Sequence, residues 1–128
     1  MQSVTDPARR AAALTKAVMS AAGHLGINIA LLARILRLDE MTVARMQVRA
    51  EVLPPGSKSS VRGELLVQLF HNLDRAMNHN DEASRTWLNA NCLELGGRPI
   101  NIIQSGEGLM KAVAYVSLKQ QKAPSPGA

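Results

Sequence analysis

Four arginines lie in one short stretch of the chain, with a spacing that suits contacts with a nucleic acid. They are Arg34, Arg37, Arg45 and Arg49. A guanidinium group donates paired hydrogen bonds to the O6 and N7 atoms of guanine, and it also binds phosphate oxygens. We expect Arg45 to contact a guanine base and the other three arginines to hold phosphates.

Three side chains just ahead of Arg45 complete the predicted DNA-contacting set: Glu40, Met41 and Thr42. The thioether side chain of Met41 could touch a thymine methyl group. Glu40 has two candidate roles, because a carboxylate can accept a hydrogen bond from cytosine N4 or can complement the positive N-terminal end of a helix. The sequence leaves both roles open.

The positive charge of the chain is concentrated in its first half. Of the 128 residues, 15 are Lys or Arg and 10 are Asp or Glu, which gives a formal net charge of +5. Residues 1–62 hold nine basic and four acidic side chains, whereas residues 63–128 hold six of each. DNA is therefore predicted to bind the N-terminal half, although a charged surface that merely keeps the protein soluble is the plain alternative.

The elements that must position these arginines are two short helices joined by a tight turn, within residues 27–48. Apolar residues recur at helical spacing in the first helix, and Asp39 is the predicted N-cap of the second. Val43 and Met46 point inward, so the N-terminal half of the second helix faces outward, as in a recognition helix that enters the major groove. A helical hairpin with no role in DNA binding is the alternative.

The pattern L-A-x-I-L-x-L-D-x-x-T-V-x-R across this stretch resembles the Xre-type helix-turn-helix of Cro-like and repressor-like proteins. One position departs from that pattern, because Arg37 stands at the turn where such motifs usually carry glycine. We therefore expect a left-handed and mildly strained backbone at Arg37.

A longer helix is predicted ahead of this motif. Asp6 can cap it, and Pro7 suits its first position. Its predicted core stripe consists of Leu14, Ala17, Val18, Ala21 and Leu25.

The apolar periodicity predicts an all-α protein with two parts. A helix-turn-helix bundle is predicted in residues 1–52 and a small helical domain in residues 61–120. Residues 53–60, rich in Pro, Gly and Ser, are the predicted linker, and residues 121–128 are a predicted disordered tail.

Four helical segments are predicted after the linker. The first carries an apolar stripe from Val61 to Met77, the second opens at Asn80 or Asp81, and a single turn begins at Pro99. The last helix runs from Gly106 to about residue 120 and is expected to bury Leu109, Val113 and Val116.

The order of short motifs in residues 71–116 resembles the Xre/MbcA/ParS toxin-binding domain. The matching elements are Trp87-Leu88, Leu95-Gly96-Gly97, Pro99-Ile100, Ile102-Ile103 and Gly106-Glu107-Gly108. This resemblance implies a homodimeric antitoxin that blocks a RES-type, NAD-consuming toxin and represses its own operon by binding operator DNA. The toxin contacts it implies are Gly106, Glu107, Lys111 and Lys119.

Metal binding and catalysis have little support in the sequence. His71 and His79 lie two helical turns apart with no third ligand at suitable spacing, so no metal site is predicted. Cys92 has no nearby His to activate it, and we expect neither an enzyme nor a cofactor. One cysteine, no apolar run of about 20 residues and a poor secretory signal predict a cytoplasmic protein without a membrane partner.

Two further functions stay open on the sequence. The protein could be a stand-alone repressor with no toxin, or a toxin inhibitor whose helix-turn-helix serves only as a dimerisation scaffold. A neighbouring reading frame for a toxin would argue against the first of these.

Overall fold

The computed structural model describes residues 6–122, and these form seven α-helices. In chain order they are α1 (Pro7–Leu25), α2 (Ile29–Leu36), α3 (Glu40–Gln47), α4 (Lys58–Ala76), α5 (Asp81–Asn89), α6 (Pro99–Ile102) and α7 (Gly106–Lys122). Within the described residues the β-type pairing is limited to an isolated bridge between Cys92 and Gly97. The predicted all-α class with an N-terminal helix-turn-helix is confirmed.

Short-range hydrogen bonds set where several helices begin. The carboxylate of Asp39 accepts a hydrogen bond of 2.7 Å from the N–H of Thr42 at the start of α3. Asp6, Ser57 and Asn80 cap α1, α4 and α5 in a similar way. Each side chain satisfies a first-turn N–H that has no partner within the helix. The predicted caps at Asp6 and Asp39 are confirmed, and Asn80 is the cap of α5.

A glycine allows α4 to approach α1 closely. A Cβ at Gly63 would lie 2.9 Å from Cγ2 of Val18 and 3.0 Å from Cδ1 of Leu53. This close contact turns the face that carries Gly63 toward the core. Val61, predicted on the apolar stripe, is consequently 51% exposed, so that assignment is wrong.

The buried face of α1 differs from the predicted stripe at Thr15. This residue is buried, whereas the predicted core residues Leu14 and Ala17 are only partly buried. The Thr15 hydroxyl donates to the carbonyl of Ala11 at 2.7 Å and accepts from the N–H of Leu53 at 2.9 Å. Burial of this polar group is therefore tolerated, and the chain after α3 is tied to α1.

One hydrophobic core contains residues from both sides of the predicted linker. It includes side chains of α1, α2, α3, α4 and α7, together with Leu88 of α5 and Ile103 after α6. α4 packs against both α1 and α7. α4 already begins at Lys58, inside the predicted linker. The division into two domains stays a prediction.

α7 starts in close contact with α6. A Cβ at Gly108 would collide with the carbonyl oxygen of Ile102, so no larger residue fits there. Leu109 and Val116 are buried as predicted, while Val113 is partly buried.

The helix α7 also covers the start of the predicted tail, because residues 121 and 122 are helical. The rest of that tail, residues 123–128, lies outside the described residues, as do residues 1–5. None of the helices described in residues 6–122 has the length and apolar character needed to cross a membrane.

Candidate nucleic-acid interface

α2 and α3 meet through a turn whose backbone is left-handed at Arg37. This residue has φ of 63° and ψ of 44°, and its N–H donates to the carbonyls of Ala33 and Arg34. The N–H of Leu38 donates to the Ala33 carbonyl at 3.0 Å. These hydrogen bonds cap the end of α2 and hold the turn although a Cβ is present. The predicted left-handed conformation at Arg37 is confirmed.

The inward side chains of α3 fix which face of this helix is exposed. Val43 is 0% exposed and Met46 is 2% exposed. Glu40 and Met41 are exposed on the opposite side, and Thr42 is partly buried. The N-terminal half of α3 therefore faces solvent and has the geometry of a helix that could enter a major groove.

A shallow depression beside the start of α3 brings together three of the predicted DNA-contacting residues. Arg34, Arg37 and Glu40 line it together with Gln104, which lies between α6 and α7. An amide side chain can hydrogen-bond to phosphate oxygens, so Gln104 belongs to this candidate surface. No signal in the sequence pointed to Gln104, because its proximity to α2 arises only from the packing of distant helices.

Arg45 is held by two neighbouring side chains. Its Nε donates a hydrogen bond of 2.7 Å to Oε1 of Glu51, and its Nη2 donates one of 3.3 Å to Oγ1 of Thr42. The contact with the Glu51 carboxylate raises the pKa of Arg45 above its ordinary value, so the guanidinium remains charged. The spacing of the arginines did not reveal Glu51, which follows the end of α3.

The carboxylate that caps α3 is also stabilised in its charged form. Hydrogen bonds from Thr42, and to a smaller extent the charge of Arg45, lower the pKa of Asp39. The cap at the N-terminus of α3 is therefore ionised at neutral pH.

A second groove, near the end of α3, lies between α1 and the segment that follows α3. Lys16, Arg49 and Glu51 line it together with Met19 and other residues of α1. Lys16 and Arg49 are exposed, and Arg49 has a left-handed backbone with φ of 64°. Lys16 thus adds a cation that was not among the predicted contacts.

The residues of α1, α2, α3 and most of α4 match a known protein family. The family model of the antitoxin Xre-like helix-turn-helix domain matches residues 5–70, which is just over half of the chain. The matched residues include Arg37 and the whole of α3. The chain belongs to the antitoxin Xre-like helix-turn-helix family. No curated protein matches it.

Family membership makes this chain a helix-turn-helix regulator of the antitoxin type, which confirms the coarser part of the predicted function. The family match ends within α4. The resemblance of residues 71–116 to the Xre/MbcA/ParS toxin-binding domain therefore stays a prediction.

In this antitoxin the predicted toxin contacts are spread along α7. Gly106 is its first residue, and Oε2 of Glu107 lies 3.7 Å from Nζ of Lys111. Further along the helix, Nζ of Lys119 lies 5.5 Å from the centre of the Tyr115 ring. The structure places these residues on one helix without gathering them into a single cluster.

An apolar stripe lies among these charged residues on the outside of α7. Met110 is 61% exposed, Leu118 is 54% exposed, and Ala114 between them is also exposed. Because these three residues are spaced by four, they share one face of the helix. We call Met110, Ala114 and Leu118 the outer stripe.

Metal binding has no structural basis in the described part of this antitoxin. Residues 6–122 contain no group of three or more His, Cys, Asp and Glu side chains suited to hold an ion. His79 instead contacts Asp74, with 2.6 Å between Nδ1 and Oδ2, and Cys92 is buried.

Proposed function

We propose that the protein is a DNA-binding antitoxin that represses its own operon through α3 and neutralises a RES-type, NAD-consuming toxin by direct contact. It acts by binding and not by catalysis, and it works in the cytoplasm. The observation that carries the DNA-binding part is the exposed N-terminal half of α3 with exposed arginines on both sides, Arg34 and Arg37 before it and Arg49 after it.

The distribution of cations around α3 supports binding to a duplex. Arg34 and Arg37 line the depression at the start of α3, while Lys16 and Arg49 line the groove near its end. Phosphates of the two strands flank a helix that lies in the major groove, so cations near both ends of α3 can bind them.

A dimer would extend this recognition to two half-sites. We propose a homodimer in which the two copies of α3 lie about 34 Å apart, one turn of B-DNA, and read a palindromic operator.

The DNA-binding proposal is tested with the duplex upstream of the protein's own reading frame and a random duplex of equal length. Arg45→Ala is expected to weaken binding to the upstream duplex about tenfold while changing binding to the random duplex less. Arg49→Ala is expected to weaken binding to both and to lower the salt dependence by about one released ion. Fluorescence anisotropy at several salt concentrations measures both effects.

The matched control for these variants is Arg75→Ala, which removes an exposed arginine at the end of α4. It is expected to bind both duplexes as the wild type does. The DNA-binding proposal fails if the wild-type protein binds the two duplexes equally. If Arg45→Ala binds the upstream duplex normally, the assignment of α3 as the recognition helix is wrong.

The outer stripe supports the toxin-binding part of the proposal. Protein interfaces typically have an apolar centre with a polar rim, and a single helix face can dock into a groove of a partner. Met110 and Leu118 would form that centre, and Glu107, Lys111 and Lys119 would form the rim.

Toxin binding is tested by producing the antitoxin together with the toxin from the adjacent reading frame. Leu118→Asp is expected to abolish co-purification and to leave NAD consumption uninhibited, because it places a charge in the apolar centre. Leu93→Asp is the matched control, since Leu93 is 84% exposed but lies outside the outer stripe. If both variants neutralise the toxin equally well, the outer stripe is not the toxin-binding surface.

A further inference from the structure

Glu51 leaves part of the Arg45 guanidinium available for a ligand. The carboxylate accepts from Nε at 2.7 Å, and the Thr42 hydroxyl accepts from Nη2 at 3.3 Å. Nη1 keeps both of its donors, and Nη2 keeps one. The Arg45 side chain is 46% exposed. Two adjacent terminal nitrogens with free donors are what the O6 and N7 atoms of guanine require.

The backbone holds Glu51 in place from both sides. The N–H of Ala50 donates to the carbonyl of Arg45 at 2.7 Å. On the other side, Leu53 is fully buried and its N–H donates to Thr15 at 2.9 Å. Glu51 therefore extends from a short segment that is anchored to the end of α3 and to α1.

This arrangement has two expected effects on DNA binding. An arginine that is already oriented loses less conformational entropy when it binds a base, which favours the correct site. A carboxylate near the DNA surface also repels phosphates, and this lowers the affinity for every sequence alike. The first effect increases the ratio of specific to non-specific binding, whereas the second lowers both affinities and leaves that ratio unchanged.

We infer that Glu51 is a positioning residue for Arg45, and that through Arg45 it sets the preference of this protein for a guanine in its DNA site. The inference rests on the proposed binding of DNA by α3.

The experiment compares Glu51→Ala with Glu51→Gln. Both substitutions remove the negative charge, so the change in phosphate repulsion is common to the two variants. Glutamine keeps a side-chain oxygen that can accept from Nε of Arg45, whereas alanine does not. A difference between the variants therefore reports on the orientation of Arg45 and not on charge.

The probe is the duplex that the wild-type protein enriches most strongly from a random-sequence library, together with copies in which each G·C pair is changed to A·T. We expect the wild type to discriminate about tenfold at one guanine, and Arg45→Ala to lose that discrimination. Glu51→Ala is expected to lose most of it while binding random duplexes more tightly. Glu51→Gln is expected to stay within about twofold of the wild type at that guanine.

Two results would overturn the inference, and they are distinguishable. If the wild type enriches a sequence but Glu51→Ala keeps full discrimination at the Arg45-dependent guanine, Glu51 does not position Arg45, although DNA binding stands. If the wild type enriches no sequence, the proposed DNA binding fails and the inference fails with it. Equal circular dichroism spectra and melting temperatures for the variants exclude unfolding as the cause of lost discrimination.

Discussion

The backbone N–H of Leu53 donates a hydrogen bond of 2.9 Å to the hydroxyl of Thr15, and this bond is buried. It joins the end of the helix-turn-helix segment to α1, across 38 positions of the sequence. Because Glu51 and Arg49 lie just ahead of Leu53, the position of the candidate DNA surface depends on a polar residue inside the core.

Thr15→Val is expected to lower the free energy of unfolding by about 1–3 kcal/mol, because it leaves the buried Leu53 N–H without an acceptor. Urea denaturation followed by circular dichroism measures the change. Thr15→Ser is the control, since it keeps the hydroxyl, and it should be clearly more stable than the valine variant. Equal stability of Thr15→Val and the wild type would show that this hydrogen bond contributes nothing.

Alanine substitutions at two glycines are expected to change the free energy of unfolding in opposite directions. Gly108→Ala should destabilise the protein by more than about 3 kcal/mol, because its Cβ would collide with the backbone of Ile102 and force α7 away from α6. Gly23→Ala should stabilise by about 0.5–1 kcal/mol, because Gly23 lies within α1 and nothing is within 4 Å of its Cβ position. Thermal and urea denaturation of both variants check the signs. A tolerated Gly108→Ala would mean that α7 does not start against α6.

Arg37→Gly is expected to make the protein more stable and to weaken its binding to DNA. The left-handed backbone at Arg37 suits glycine, so the substitution should raise the free energy of unfolding by about 1 kcal/mol. Loss of the cation should weaken binding to any duplex and reduce the salt dependence. Arg34→Ala is the control, because it removes a cation from α2 without relieving a strained turn. Both variants should bind DNA more weakly than the wild type, and only Arg37→Gly should be more stable. A less stable Arg37→Gly would contradict this expectation.

The ionisation of Tyr115 is expected to occur at unusually high pH. Burial is the main cause, with Cys92 and Glu94 as further causes, and together they raise the pKa of Tyr115 to about 12. The folded protein thus favours the neutral phenol. The resulting contribution to the stability of the folded protein is fully present below the ordinary pKa of about 10. It is lost as the pH rises from there to about 12.

This titration can be observed directly, because Tyr115 is the only tyrosine in the chain. Near-ultraviolet absorbance of the phenolate should give a midpoint near 12 in the folded protein and near 10 in urea. Cys92→Ala should lower the folded midpoint, since it removes one of the groups that raise it. Circular dichroism at each pH shows whether the protein is still folded. If the titration midpoint of the folded protein equals that in urea, burial does not raise the pKa of Tyr115.

The parts of the fold that depend on neighbouring residues could be predicted from the sequence. Asp39 and Asp6 act as caps through bonds within one helical turn, and the left-handed backbone at Arg37 follows from its place between two helices. The inward positions of Val43 and Met46 follow from helical periodicity. These features can be predicted without knowing which residues distant in sequence pack nearby.

The parts that depend on packing could not be predicted. Periodicity placed Val61 on the apolar stripe of α4, but the close approach of α1 at Gly63 turned the helix so that Val61 is exposed. The approach of Gln104 to α2 arises from tertiary contacts in the same way. The ion pair of Arg45 with Glu51 is closer in sequence, but it depends on the path of the chain after α3, which the contact of Leu53 with Thr15 holds in place. A sequence motif identifies the recognition helix, but it does not show what surrounds that helix.

The shared core determines how this protein would lose activity. The buried residues that hold α3 are continuous, through α4, with those that hold α7. Heat, a denaturant or a protease that opens α4 would therefore melt the recognition helix and the outer stripe in one cooperative transition. If α3 binds an operator and the outer stripe binds a toxin as proposed, a cell that destroys one molecule of this antitoxin would free a promoter and a toxin at the same moment.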